Sequence, residues 1–221
     1  MSADRGKTTV LDIGVSNLGS LIRAFHRIGR DVEVTSDPAT VERASTIFIP
    51  GVGSFAAGIG ALRSSGIDEI VIAKAMDAAT PVIGVCLGFQ LLTDGSSENG
   101  RHEGLGLIPG WTERLPEDED AAIPNFGWCD VEVVDSSVIP SEFHGESLYF
   151  AHSFSVVCEE AQDVAMRIQF GARSITAAAG RGSAFGFQFH PELSQNAGLD
   201  CLAAVMTWAD AQASVRPEHE R

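Results

Sequence analysis

Cys86 lies in Gly84-Val85-Cys86-Leu87-Gly88, a G-x-C-x-G pattern where an apolar run meets Phe89-Gln90-Leu91-Leu92, the start of a helical segment. This is the thiol form of a nucleophile elbow. A sharp turn from strand to helix leaves little room for side chains beside the nucleophile, which explains glycines two residues away on each side. The turn lifts the thiol out of the sheet and sets it near a helix N-terminus, where the positive end of the dipole favours thiolate. A cysteine buried in an apolar strand for packing alone is the alternative reading of the same residues.

A thiol nucleophile needs a base, and the base needs a group that orients it. Phe189-His190-Pro191-Glu192 offers both: an imidazole leaving the end of an apolar strand, a carboxylate two residues on, and a proline stiffening the bend between them. Pro50-Gly51-Val52-Gly53 closes another strand-like run. It reads either as a simple connection or as an oxyanion hole, a backbone N–H aimed with that of Leu87 at the charge developing on a carbonyl oxygen. Neither G-x-x-x-x-G-K-[ST] nor a suitably placed G-x-G-x-x-G occurs, so a phosphate loop is not supported. Of the six histidines, His26, His102, His144 and His219 read as structural or surface residues, and His152 stays open between the two readings.

The elements that must position these groups follow from period and punctuation. Residues 8–14 form an apolar strand, and 18–28 fit a helix because Leu18, Leu21, Ile22, Phe25 and Ile28 recur at three- and four-residue spacing before Gly29. Strands are expected at 31–35, 46–49 and 81–85, alternating with helices near 39–44, 55–62 and 67–78. Continuous apolar strands alternating with helices imply a parallel sheet covered on both faces. The second half changes character. An acidic loop at 113–120 precedes shorter strands at 131–134, 147–150, 153–157 and 164–170, which suit antiparallel pairing, then a strand at 184–189 and a closing helix at 199–209. No Gly-, Ser- or Pro-rich linker separates the halves, so one domain spanning 1–221 with a shared core is expected, its ends frayed. The fold class is α/β: a largely parallel central sheet flanked by helices, with additional antiparallel strands in the second half.

Composition removes several other classes of function. The 221 residues carry 15 Lys+Arg against 30 Asp+Glu, a formal charge of -15, without a basic cluster to attract nucleic acid or an anionic membrane. No apolar run reaches the length that spans a bilayer, and the first residues do not resemble a secretory signal, so a cytoplasmic location is expected. The four cysteines form no C-x-x-C pair, against both a zinc knuckle and a small disulfide scaffold.

Three separated segments, Pro50-Gly51-Val52-Gly53, Gly84-Val85-Cys86-Leu87-Gly88-Phe89-Gln90 and Phe187-Gln188-Phe189-His190-Pro191-Glu192, resemble the class I, or triad, glutamine amidotransferases. Within that class the chain is most similar to the glutaminase subunits of imidazole glycerol phosphate synthases, from about Val10 to Met206, with support from Asp12-Ile13-Gly14, Asn17-Leu18-Gly19-Ser20, Gly127-Trp128 and Tyr149-Phe150-Ala151-His152-Ser153-Phe154. The resemblance implies a flavodoxin-like fold and makes Cys86 the nucleophile, His190 the base and then the acid, and Glu192 its orienting partner. It places the oxyanion hole at the Leu87 N–H and a peptide of the Val52-Gly53 turn, which in the family is thought to reorient before it donates. It lines the glutamine pocket with Gln90, His152, Ser153 and Phe154. It also implies a (β/α)8-barrel synthase subunit as heterodimer partner, receiving ammonia through a tunnel and met by Asn17, Trp128, Cys129 and Leu193; no metal or organic cofactor is implied.

The chain departs from the family pattern at several of these positions. Cys129 stands where Asn is usual, Leu193 where Lys is usual, Phe154 for Tyr, and Ile13 and Ser16 for Tyr and Gly. Residues 129 and 193 match the family surface that meets the synthase, so the alternatives are a paralogue feeding ammonia to another synthase, such as one amidating surface sugars, or a non-catalytic regulatory subunit.

Overall fold

The computed structural model describes residues 7–14, 18–76 and 80–214. Its first half is built from β1 (Thr8–Leu11), α1 (Leu18–Arg27), β2 (Val32–Thr35), α2 (Pro38–Glu42), β3 (Thr46–Gly51), α3 (Phe55–Ser65), α4 (Ile67–Met76), β4 (Val82–Cys86) and α5 (Leu87–Leu91). Local chemistry fixes the starts of two helices. Asp37 accepts from the Thr40 N–H at 3.0 Å with Pro38 in the first turn, and Ser54 accepts from the Ala57 N–H at 3.4 Å. Leu21, Ala24 and Phe25 form the buried stripe of α1 expected from its spacing.

The second half contributes β5 (Thr93–Ser96), β6 (His102–Glu103), β7 (Ile108–Arg114), β8 (Asn125–Val133), β9 (Ser147–His152), β10 (Phe154–Cys158), β11 (Val164–Phe170), β12 (Arg173–Arg181), β13 (Ala184–Phe187) and α6 (Gln195–Ser214). Nine strands form one sheet in the order β2-β1-β3-β4-β13-β12-β11-β8-β9. Its first five are mutually parallel and the remaining pairings antiparallel. The expected mixture of a parallel core and antiparallel additions is present. A second sheet, β10-β7-β5-β6, packs beside the first.

Every residue of β3, β4 and β13 is buried, as strands covered on both faces must be. The sheet divides the expected single core into two clusters: alternate residues send Val10, Phe48 and Ile83 to one face and Leu11, Ile47 and Val82 to the other. The first cluster joins the halves, since it also contains Phe150, Met166 and the α6 residues Leu202 and Val205.

The sequence reading missed four strands: β5, β6, β7 and β12. The predicted acidic loop at 113–120 is shortened because Glu113 and Arg114 belong to β7, paired with Ser155 and Phe154. In β12 the run Ala177-Ala178-Ala179 has weak intrinsic strand preference but is fully buried between β11 and β13, where pairing on both edges decides its conformation. The closing helix is longer than the expected 199–209, and the end of the expected 67–78 helix, beyond Met76, lies outside the described residues. Among the described residues no helix is long and apolar enough to cross a membrane.

Candidate active site

Three adjacent parallel strands deliver three backbone ends to one place. Gly51 of β3 pairs with Cys86 of β4, and Val85 pairs with Phe187 of β13 on the other side. The Val52-Gly53 turn, Cys86 and the segment leading to His190 therefore all leave the sheet at its carboxyl edge, where open α/β sheets bind ligands.

Cys86 has φ 53° and ψ −109°, a conformation that L-residues rarely adopt, and α5 begins at the next residue. The flanking glycines permit this. A Cβ on Gly84 would lie 2.5 Å from the Phe89 amide nitrogen, and one on Gly88 would run into the carbonyl oxygen of Ile49. The elbow is thus held by backbone against backbone, and the thiol is left 6% exposed at its apex.

His190 Nδ1 lies 2.9 Å from Glu192 Oε1, which leaves Nε2 for its hydrogen bond with Cys86. Burial alone would lower the pKa of His190. The hydrogen bonds and Coulomb attraction of Cys86 and Glu192 outweigh it and hold the imidazole above its ordinary value. The imidazole is thus favoured in its charged form between the Cys86 sulfur and the Glu192 carboxylate. Ser194, fully buried, fixes the turn: its hydroxyl donates to the His190 carbonyl at 2.6 Å and accepts the Tyr149 N–H at 2.9 Å. The second oxygen of Glu192, Oε2, is buried without a hydrogen-bond partner among the described residues.

A cavity of about 290 Å³ opens over the thiol, lined by Val52, Gly53, Cys86, Leu87, Gln90, Glu98, Pro124, Phe126, Ala151, His152, Ser153 and Phe154. This is at the lower limit of the roughly 300–1,000 Å³ of small-molecule pockets and suits an amino acid. It brings together all three residues expected at the oxyanion hole and all four expected in the substrate pocket.

His152 is buried, with Nδ1 2.8 Å from the Phe154 carbonyl and Nε2 3.2 Å from Asn125 Nδ2. Burial, aided by the nearby charge of His190, lowers its pKa to about 4. A carbonyl only accepts, so the neutral ring carries its proton on Nδ1 and receives the Asn125 N–H on Nε2. Two neighbouring histidines are thus pushed in opposite directions, His190 toward its charged form and His152 toward its neutral one.

The four residues expected at a partner surface separate. Trp128 and Leu193 are exposed, 47% and 42%, and Phe126 is 68% exposed on the same outward side of β8 as Trp128. Cys129 instead turns inward, its Sγ 3.7 Å from Asn125 Oδ1, because alternate residues of β8 face the core. Asn17 lies outside the described residues. Burial pushes up the pKa of Cys129, Cys158 and Cys201, that of Cys158 to about 11, so these thiols stay protonated near neutral pH.

Sequence reasoning gave no role to Glu98, Asn125, Gln188 or Ser194. Glu98 is the acidic group of the cavity, and its Oε2 accepts the Phe55 N–H at 2.6 Å beside the Val52-Gly53 turn. Nothing local marks it. Gln188 did carry a signal: an amide between Phe187 and Phe189 in an otherwise apolar run must have a buried partner.

Residues 9–203 match the family model of class-I glutamine amidotransferases. The chain belongs to this family. It is 37% identical over 199 residues to the imidazole glycerol phosphate synthase subunit HisH of Syntrophotalea carbinolica, covering 87% of this chain and 96% of that one. To the subunit of the same name from Salinibacter ruber it is 36% identical over 217 residues, covering 94% and 99%. Among solved structures, a crystal structure of a glutamine amidotransferase matches with a TM-score of 0.72 at 18% identity, covering 95% of this chain and all of that one. PurLQS from Thermotoga maritima matches with a TM-score of 0.67 at 19% identity, covering 92% and 99%. At these identities the structural likeness is one of fold, and it is the class I amidotransferase fold.

Proposed function

We propose that this amidotransferase is the glutamine-hydrolysing subunit of an imidazole glycerol phosphate synthase, working through a Cys86-His190-Glu192 triad. The observation that carries this reading is His190 between Glu192 and Cys86, with Cys86 opening into an amino-acid-sized cavity, in a chain whose relatives bear that subunit's name over nearly their full length.

The geometry supports the following course. Glutamine enters with its side-chain amide over Cys86. Its α-ammonium group has a counter-charge in Glu98, and Gln90, Ser153 and the 151–154 backbone offer hydrogen bonds. The thiolate attacks the amide carbon, and the Leu87 N–H with a peptide of the Val52-Gly53 turn meets the resulting oxyanion. The imidazolium of His190 then gives its proton to the departing nitrogen, releasing ammonia and leaving a γ-glutamyl thioester. Neutral again, His190 takes a proton from water, which attacks the thioester and frees glutamate. Glu192 keeps the ring aimed at sulfur throughout.

Ammonia released in water would be protonated and lost, so the cavity calls for a cover. Phe126, exposed in its lining, and the exposed Trp128 on the same side of β8 support docking of a (β/α)8-barrel subunit that takes the ammonia on, with the exposed Leu193 available to the same partner. The whole 1–221 chain serves as a single amidotransferase domain in this reading.

Glutamate release by the chain alone, and with the barrel subunit of an imidazole glycerol phosphate synthase from the same organism plus its nucleotide substrate, tests the proposal. Strong stimulation by the pair is expected. No stimulation, from a chain whose Cys86 still reacts with a glutamine analogue, would assign the ammonia to a different synthase.

A further inference from the structure

Gln188 is completely buried, takes no part in lining the cavity, and has its amide nitrogen 3.6 Å from Cys86 Sγ. Whether that contact presents a donor or an acceptor to sulfur depends on which way the amide faces, and the surrounding hydrogen bonds fix it. The Phe154 carbonyl, which can only accept, receives Gln90 Nε2 at 3.0 Å. Gln90 therefore points its NH2 group inward, and the same nitrogen donates to Gln188 at 3.0 Å, so the atom of Gln188 facing it is the oxygen. The other end of Gln188, the NH2 group, must then face Cys86. Reversing Gln188 would set two NH2 groups against each other in a buried site.

We propose that Gln188 is a further catalytic residue, a buried amide donor that holds the Cys86 thiolate together with His190. This rests on Cys86 being the nucleophile. Hydrogen bonding to the charged form of an acid favours that form, and it does so most where water is excluded. The chain of amides has a second consequence. Both hydrogens of Gln90 Nε2 are committed, to Phe154 and to Gln188, so Gln90 can offer glutamine only its Oε1 as an acceptor. Gln188 thus sets the state of the nucleophile and the polarity of one pocket group at the same time.

The test is the pH dependence of Cys86 alkylation by iodoacetamide, followed on the Cys86 peptide in the full chain, for wild type, Gln188→Glu and Gln188→Leu. Gln188→Leu removes the donor outright; Gln188→Glu keeps the shape and, once ionised, presents an acceptor to sulfur. Both are expected to move the midpoint of the alkylation profile upward by about one pH unit, a roughly tenfold slower reaction at pH 7 that recovers at high pH. Glutamine hydrolysis should fall through kcat, with KM changed less than twofold for Gln188→Glu. If one variant does not fold, as judged by circular dichroism, the other decides. A folded variant whose alkylation midpoint coincides with that of wild type overturns the assignment. A wild-type Cys86 that is not alkylated anywhere between pH 6 and 9 would remove the nucleophile itself, and this role with it, which separates failure of the triad reading from failure of Gln188.

Discussion

The two walls of the cavity are built on different terms. The inner wall consists of Cys86, Leu87 and Gln90, set on fully buried parallel strands and a short buried helix, with the elbow pinned by backbone contacts at Gly84 and Gly88. The outer wall consists of Pro124, Phe126 and residues 151–154, carried by the antiparallel strands β8 and β9 at the edge of the sheet and by the passage from β9 into β10 of the second sheet, with Phe126 and Trp128 turned to solvent. Strands buried on both faces permit few arrangements, so the inner wall is fixed by packing. The outer wall has one packed face and one free face, and it is the free face on which a second protein can act. In the proposed reading, chemistry and its control therefore occupy different parts of the sheet.

The largest effect should separate the walls outright. Cys86→Ala is expected to abolish glutamate release from glutamine, a loss of more than about 10³-fold for removal of an activated nucleophile, while the barrel subunit still uses added ammonium. Hydrolysis at near wild-type rate would break the assignment of chemistry to the inner wall. Glu192→Gln should cost less, on the order of 10²-fold in kcat with KM little changed, because the base remains but loses the charge that holds it protonated and aimed. A change confined to KM would make Glu192 a binding group instead.

The same division explains what could be read without coordinates. Cys86, His190 and the Val52-Gly53 turn announce themselves because a thiol elbow and a glycine turn impose their needs on immediate neighbours in sequence. The strands beneath them are continuous apolar runs for the same reason. The outer wall gave weaker signals. Asn125 meets His152 only through the pairing of β8 with β9. Glu98, elsewhere in the lining, likewise reaches Phe55 across 43 residues of chain. The inward turn of Cys129 depends on the register of a strand whose outward side carries the apolar Phe126 and Trp128, so apolar character does not mark the buried side. Long-range pairing, not composition, decides these positions. The strand β12, rich in alanine, was illegible on the same ground.

The neutral His152 gives a pH test of the outer wall. Its pKa is about 4 in the folded chain against an ordinary 6.5. Between those values the unfolded chain binds a proton that the folded chain does not, so stability rises with pH across this window and is lost as pH falls from 6.5 toward 4. The loss should reach about 2 kcal/mol by pH 5, a fall in Tm on the order of 5 °C for a chain of this size. His152→Gln removes the titration, so its Tm difference between pH 7 and pH 5 should be smaller than that of wild type by about this amount. Equal differences in the two proteins would mean that His152 is protonated in the folded state and that Asn125 does not hold its neutral form.

The smallest effect on the isolated chain should come from Trp128→Ala. Its ring is 47% exposed and meets Tyr149 edge-on at 5.8 Å, a contact whose loss costs about 1 kcal/mol of stability. Because Trp128 does not line the cavity over Cys86, glutamine hydrolysis by the chain alone should stay within twofold of wild type. Binding of the barrel subunit is where the substitution should tell. A half-exposed tryptophan next to the exposed Phe126 is the kind of residue on which docking energy concentrates, so Kd should rise tenfold or more. An unchanged Kd with unchanged stimulation would move the docking surface off β8 and break the link between the free face of the outer wall and its control. A raised Kd with basal hydrolysis intact would sharpen it, since one residue would then govern the partner without touching the chemistry.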